Sequence, residues 1–448
     1  MRPPPRRRIV DRSDDEGDRL VAPRPPRAPW GSGDQTMTSI RQRVLRAFLR
    51  SRYRVVDDLR MRPRPDDDPH VHAPGVDPDR VLVFGNGPAV GWGVRCHDLA
   101  IPGHLARRLS TLTGRGADVD VVADPDMTIE HAADHLPDRE LCGYDVVVVV
   151  VGMSDALTLL PAHKWRRSLS HLLDAVEQVT SPTASIIVAG IQPPSSVSGF
   201  GAVPGGLVDR HAALLNETTR ALCATRPTTH VMPAPAMPDA TDALSRDAGR
   251  YQAWGSALAE VAAPLVDSAL ADGRSARASR HAPQSDERRV EAIRALGLLD
   301  SPAEKRFDDI VDRARILLGT QGASFSLITD DRHWNKAVSG SSRIELPLAD
   351  SFCAHTIRSG RPLVVPDAWR DDRFVSHPAI RFYAGHPIET DDGVRIGALC
   401  VVDAEPRGSE GVDLVLLREL ALAVQRELRI RPGDDSDASD AAGRLAAR

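Results

Sequence analysis

Aromatic residues are scarce in this 448-residue chain, at 4%, and lysine occurs only at Lys164, Lys305 and Lys336. Arginine carries nearly all the positive charge. The formal net charge is −5, which argues against a general polyanion binder, and no nucleic-acid partner is expected. The five cysteines, Cys96, Cys142, Cys223, Cys353 and Cys400, are dispersed with no C-x-x-C pair. That spread argues against a secreted disulfide framework or a Cys-rich zinc site. No metal and no cofactor are expected. Long apolar runs are missing as well. The longest valine run, Val146 to Val151, is far short of the ~18–20 apolar residues of a membrane span. Arg and Pro crowd the N-terminus and no apolar h-region follows, so no signal peptide is read there and a cytoplasmic protein is the default. Met1 and Met37 are both candidate starts.

What is present is an ordinary globular composition, 42% apolar and 27% charged, long enough for two or three domains at ~150 residues each. Residues 1–36 are Pro/Arg/Asp-rich and are expected to be disordered. Residues 37–64 carry nine arginines against Asp57 and Asp58. Ile40, Val44 and Phe48 fall at i, i+4 and i+8 there, with arginines flanking them. Two readings stay open for this 1–64 tail and arm. One is a peripheral contact with an anionic membrane or acidic partner, through Ile40, Val44, Phe48 and the flanking Arg. The other is a helix packed on the next domain with its arginines in water.

Beyond the arm, strand and helix alternate. Val81–Phe84, Val119–Val122, Asp145–Val151 and Ser185–Ala189 are short β-branched runs, as expected of strands buried on both faces. Helical patterns intervene at 99–112, 163–179 and 206–225, and a weak strand at Thr229–Met232 precedes a helix at 250–271. Repeated β–α units imply a parallel sheet with helices on both faces and a site at the carboxyl ends of the strands. A polar stretch, 273–285, reads as a linker. After it, helices at 286–298 and 303–318 precede strands near 322–329, 333–338, 362–366, 380–388 and 394–403, then a helix at 411–428. That order fits an α+β domain over 286–430, and the tail 431–448 reads as mobile.

The first half carries ordered short blocks. Val81-Leu82-Val83-Phe84-Gly85-Asn86-Gly87 closes the first strand; Ala123-Asp124-Pro125-Asp126-Met127-Thr128 and Val151-Gly152-Met153-Ser154-Asp155 follow, and Tyr251-Gln252-Ala253-Trp254 opens the last helix. In order and spacing these resemble the SGNH (GDSL-type) esterase family over 78–272. The resemblance implies an α/β fold, a flavodoxin-like three-layer parallel sheet. It also implies a serine nucleophile in the first block, a histidine base in the last, and an oxyanion hole from a glycine and an asparagine in the second and third. The matching positions here are Gly87, Asp126 and Ser154, and the last block, around Asp247, has no histidine between His230 and His281. A hydroxyl without a base is a weak nucleophile. A carboxylate at Asp126 would place negative charge beside the former oxyanion hole. No catalytic residue is therefore expected. The alternative is an active esterase with rearranged residues, using Ser154, Asp155 and His131 or His135, regulated by the second domain. The bland reading makes Ser154 a helix cap and sets His131 and His135 on a helix surface.

The second half resembles a GAF domain. The resemblance rests on Arg306-Phe307-Asp308-Asp309, Asp350-Ser351-Phe352-Cys353-Ala354-His355, Val365-Pro366-Asp367-Ala368, Ile380-Arg381-Phe382-Tyr383 and Gly393-Val394-Arg395-Ile396-Gly397-Ala398-Leu399-Cys400-Val401-Val402-Asp403. It implies a sheet backed by helices, a pocket for an unidentified small molecule, and a protein partner or homodimer. Phe352, His355, Arg381 and Tyr383 are the ligand candidates. Cys353 and Cys400 have two readings, as buried small hydrophobes or as a redox or metal-binding pair. Asn335-Lys336 resembles the start of a cyclic-nucleotide signature whose remainder is absent. The chain as a whole reads as a sensory or regulatory protein with a non-catalytic esterase-like half.

Overall fold

The computed structural model describes residues 62–429 except 138–140, 198–204, 237–242, 274–275, 277–279, 282, 341–347, 349–350, 375–378 and 409. Ile40, Val44, Phe48 and the rest of the basic arm up to residue 61 lie outside the described residues, as does the tail 431–448.

In the first half, β2 (Asp79–Gly85), α1 (Ile101–Thr113), β3 (Ala117–Ala123), β4 (Val146–Val150), α2 (Met153–Leu157), α3 (Ala162–Val179), β5 (Ser185–Ala189), α4 (Gly205–Cys223), β6 (Thr229–Met232) and α5 (Ala243–Ala271) follow in order. A short strand, β1 (His70–Ala73), comes before them and pairs antiparallel with β3. The sheet runs β1-β3-β2-β4-β5-β6, and every pairing beyond β1 is parallel. The parallel strands have the doubly wound order of a flavodoxin-like sheet, whose switch point lies between β2 and β4. Alternation along the strands feeds two cores. Val81, Val83, Val146 and Val148 pack with α1 and α5, while Leu82, Phe84, Val147 and Val149 pack with α3 and α4. The edge strand β1 was not legible in the sequence, because His70 and His72 interrupt its apolar pattern.

The second half holds α6 (Asp286–Leu296), α7 (Lys305–Leu317), β7 (Gly322–Ile328), β8 (His333–Gly340), α8 (Phe352–Ser359), β9 (Leu363–Val365), β10 (Phe382–Glu389), β11 (Arg395–Asp403) and α9 (Leu414–Arg429). Its sheet, β8-β7-β11-β10-β9, is antiparallel throughout. One face, with Phe325, Leu327, Leu399 and Val401, is covered by α6, α7 and α9. The other, with Ile328, Tyr383, Cys400 and Val402, is covered by α8. The α/β sheet followed by an α+β domain is the architecture expected from the sequence.

The halves are joined by buried charge. Arg418 of α9 donates from Nη2 to Asp118 Oδ1 of β3 at 2.5 Å, with the two side chains 2% and 8% exposed. Arg80 Nη2 donates to Glu389 Oε2 at 2.9 Å, and His72 Nε2 lies 2.6 Å from Glu419 Oε2. The connecting segment is anchored: Arg280 reaches the Gly143 carbonyl at 2.7 Å and the Asp145 carboxylate at 2.9 Å. A polar cavity of about 470 Å³ lies beside these contacts, lined by residues that include His70, Asp118, His386 and Arg418. Burial alone would raise the Asp118 carboxyl, but the Arg418, His70 and Arg80 charges outweigh it and bring it to about 2. The His386 imidazole is pushed down to about 4 by burial.

Removing one partner of a buried pair costs about 3–5 kcal/mol, because the other charge is left unpaired. Arg418→Met alone should therefore lower the urea midpoint of the full chain markedly. The double variant Arg418→Met/Asp118→Leu should recover most of that loss. Equal midpoints for wild type and the single variant would refute the ranking of this pair.

Candidate functional sites

The first candidate cleft forms where β2 and β4 end side by side. Gly85 closes β2 at φ +143°, and a Cβ there would lie 1.9 Å from the Val150 carbonyl oxygen, so only glycine lets the strands approach this closely. Gly87 follows at φ +59° and opens a 3-10 turn, Gly87–Val90. The space beside it is open, since only Met153 Cβ comes within 4 Å of an added Cβ, at 3.9 Å, but the left-handed φ would strain any side chain placed there. The position that the sequence resemblance aligns with a nucleophile is thus a glycine held in the left-handed region.

Polar side chains bridge the mouth of this cleft. The buried Asn86 amide donates to Ser154 Oγ at 3.1 Å and to the Met127 carbonyl. One side chain thereby ties the ends of β2 and β4 to the loop after β3. Ser154 is buried in the first turn of α2, and the residue capping that helix is Gly152 at φ +112°, so Ser154 is not the cap. Asp155 is 4% exposed and accepts from the Ile129 N–H at 3.4 Å. Burial pushes its carboxyl up to about 7, against the pull of the Ile129 hydrogen bond. Beyond β5, Gln192 is buried, and its Nε2 has no hydrogen-bond partner among the described residues.

The other sequence candidates sit apart from these groups. Asp126 is exposed, and its N–H donates to Asp124 Oδ1 at 2.8 Å. Water therefore screens its charge, and the repulsion expected of a dry carboxylate at an oxyanion hole does not arise here. His131 and His135 do not share an α-helix surface. They bracket a single 3-10 turn, Ala132–His135, and lie 3.5 Å from Asp134 and Asp124 respectively. Asp247 falls within α5, but its side chain lies outside the described residues.

The second candidate site lies under α8 in the second half. Ser351 caps this helix, accepting from the Ala354 N–H at 3.1 Å, and its Oγ lies 2.9 Å from His333 Nδ1. The Phe352 ring stacks on Phe374 at 4.1 Å and on Tyr383 at 4.8 Å. Tyr383 is buried, with its hydroxyl 2.7 Å from Thr356 Oγ1, and burial holds its phenol well above the usual range. His355 meets the edge of Phe374 at 4.9 Å, and burial first, then Arg358 and Arg373, lower its imidazole. Phe352, Tyr383 and His355 are therefore brought together. Arg381 precedes β10 instead of lying within it. Its guanidinium clasps Asp367 at 3.1 and 2.6 Å and covers the Trp369 ring at 4.3 Å. Lys336 is turned toward the helical layer, with Nζ 2.6 Å from Ser301 Oγ, from the Pro302 carbonyl and from Glu304. The sequence pattern did not single out Ser324, Ser326, Thr356 or His333 at this site. Isolated Ser and Thr in strands carry no periodic signal.

The comparisons fall on both halves. Residues 302–428 match the GAF domain family model, so this part of the chain is a GAF domain. A cyclic di-GMP phosphodiesterase of Pseudomonas aeruginosa is 35% identical over 153 residues, covering 33% of this chain and 26% of the relative. The chain thus spans about a quarter of the length of that curated relative. A carbohydrate acetylesterase structure from Sinorhizobium meliloti is 19% identical over 42% of this chain and 99% of its own, with a TM-score of 0.32. The GAF domain of an Acinetobacter phosphoenolpyruvate-protein phosphotransferase is 16% identical over 32% and 94%, with a TM-score of 0.25.

Asp155 generates a pH test. A carboxyl raised on folding stabilises the native state fully below its unfolded value near 4, and that contribution fades as pH rises through about 7. The effect is on the order of 4 kcal/mol for a shift of this size. Asp155→Asn cannot ionise, so the variant should gain stability relative to wild type between pH 4 and pH 8. Parallel stability profiles over that range would remove the assignment.

Proposed function

We propose that this chain is a sensory or regulatory protein whose esterase-like half keeps the framework of an ester hydrolase without its chemistry. The GAF domain at 302–428 supports the sensory or regulatory role. The observation that carries the non-catalytic reading is the Asn86 amide held on Ser154 Oγ at 3.1 Å beside Gly87. The side chain expected to attack is absent, and the neighbouring hydroxyl is buried and accepting a hydrogen bond. Loss of nucleophile and base together typically costs ~10⁶ in rate.

In this reading the small-molecule ligand meets the GAF domain at the Phe352–Tyr383 stack, with His355 at its edge. Arg381 then acts beside that stack through Asp367. The output is contact with a protein partner or a second copy of the chain, and the buried Arg418–Asp118 pair couples the two halves.

Two measurements test this. Purified full-length protein should show no turnover of p-nitrophenyl acetate above the uncatalysed rate, and Gly87→Ser should show none either, because the base is still missing. Robust turnover abolished by Ser154→Ala would establish the rearranged esterase instead. Native mass spectrometry of protein from its host should show a retained small molecule that Phe352→Ala releases.

A further inference from the structure

The sulfurs of Cys353 and Cys400 lie 3.6 Å apart. They come from different elements: the first turn of α8 and the middle of β11. Both sit in the apolar layer under α8, yet hydroxyl groups reach both sulfurs. Ser324 Oγ is 3.2 Å from Cys400 Sγ. Ser326 Oγ and the Tyr383 hydroxyl are 3.7 and 3.6 Å from Cys353 Sγ. Apolar packing would offer these sulfurs methyl groups. Here buried hydroxyls line both.

We propose that Cys353 and Cys400 form a reversible dithiol–disulfide site, oxidised by a hydroperoxide. It does not depend on the fate of the esterase-like cleft. The two thiols are not equivalent. Hydrogen bonding to Cys400 pulls the Cys353 thiol well below its usual range against burial, with His333 and Tyr383 adding to the pull. The same contact, with burial, holds Cys400 above it. Cys353 is therefore the attacking thiolate. Its sulfur attacks one peroxide oxygen, the O–O bond breaks, and the other oxygen leaves with a proton as water or an alcohol. The resulting sulfenic sulfur is then attacked by Cys400. The S–S bond forms, the S–O bond breaks, and the departing hydroxide takes the Cys400 proton as water. Two thiols are oxidised by two electrons, and the peroxide is reduced by two. The sulfurs must close by roughly 1.5 Å to reach disulfide length. The bond would tether α8 to the sheet beside the Phe352–Tyr383 stack, so oxidation would fix one wall of the proposed ligand site.

The test treats the native full-length chain with graded hydrogen peroxide, blocks remaining thiols and maps peptides. Expected is a Cys353–Cys400 cross-linked peptide, lacking two hydrogens and restored by thiol reductant. It should appear at peroxide levels that leave Cys223 unmodified, since burial pushes that thiol up to about 11. In Cys400→Ser, a sulfenic-acid trap such as dimedone should label Cys353 selectively. Oxidation of Cys96 or Cys142 with Cys353 and Cys400 left as thiols would overturn the proposal. A cross-link that forms only after denaturation would overturn it equally, and this reading needs no variant to fold.

Discussion

A guanidinium on α9 and a carboxylate on β3 meet in a place that water barely reaches, and the relation between the two sheets depends on that contact. Neither Arg418 nor Asp118 would be tolerable there alone, since an uncompensated buried charge is costly. The pair specifies position more than it adds stability. Burying two ions returns little net energy over apolar packing, but only one arrangement of the halves satisfies both. Arg80 with Glu389, and Arg280 with Asp145, repeat the principle around the same seam. Flanking this seam, β1 contributes His70, 2.7 Å from Asp120, and His72 to the same polar layer. A shift of the GAF sheet would therefore be felt at β3 and β2, through Asp118 and Arg80.

At the ends of β2 and β4 the backbone framework has a physical reason of its own. The close approach of β2 and β4 at Gly85 and the two-sided cores are requirements of the doubly wound sheet itself. They persist whether or not a substrate is turned over. Gly87, at φ +59°, opens the 3-10 turn that follows with no side chain of its own. With no hydroxyl at Gly87, the Asn86 amide occupies the crossing point, satisfying two acceptors that would otherwise be buried without a donor. Asp155, held with its carboxyl raised, anchors the loop after β3 from below.

The GAF face under α8 is organised differently. An aromatic stack supplies rigid apolar surface, and a set of hydroxyls, an imidazole and two thiols supplies the polar content. Tyr383, Cys400, Ser324 and Ser326 are positioned by the antiparallel register of β7, β10 and β11, and Phe352, Cys353 and Thr356 by the helix that Ser351 caps. A set of side chains held on strands and a capped helix is placed more precisely than one held on loops. Arg381 lies outside this arrangement because its charge is already matched by Asp367.

Much of the architecture was legible in the sequence. Continuous valine runs announced central parallel strands, and the change of pattern after residue 285 announced a second kind of sheet, because burial on two faces or one leaves a local signature of apolar spacing. The blocks at Gly85–Gly87 and Val151–Asp155 also placed the candidate cleft at the strand ends. What no local pattern encoded were the partners. Asn86 meets Ser154 across 68 positions, Cys353 meets Cys400 across 47, and Arg418 meets Asp118 across 300. The edge strand β1, the exposure of Asp126 and the single turn at His131–His135 were likewise decided in three dimensions. Periodicity reports how much water each residue leaves behind; which charge, thiol or amide it then faces is set by strand order and by the docking of one sheet on another, which only the folded chain fixes.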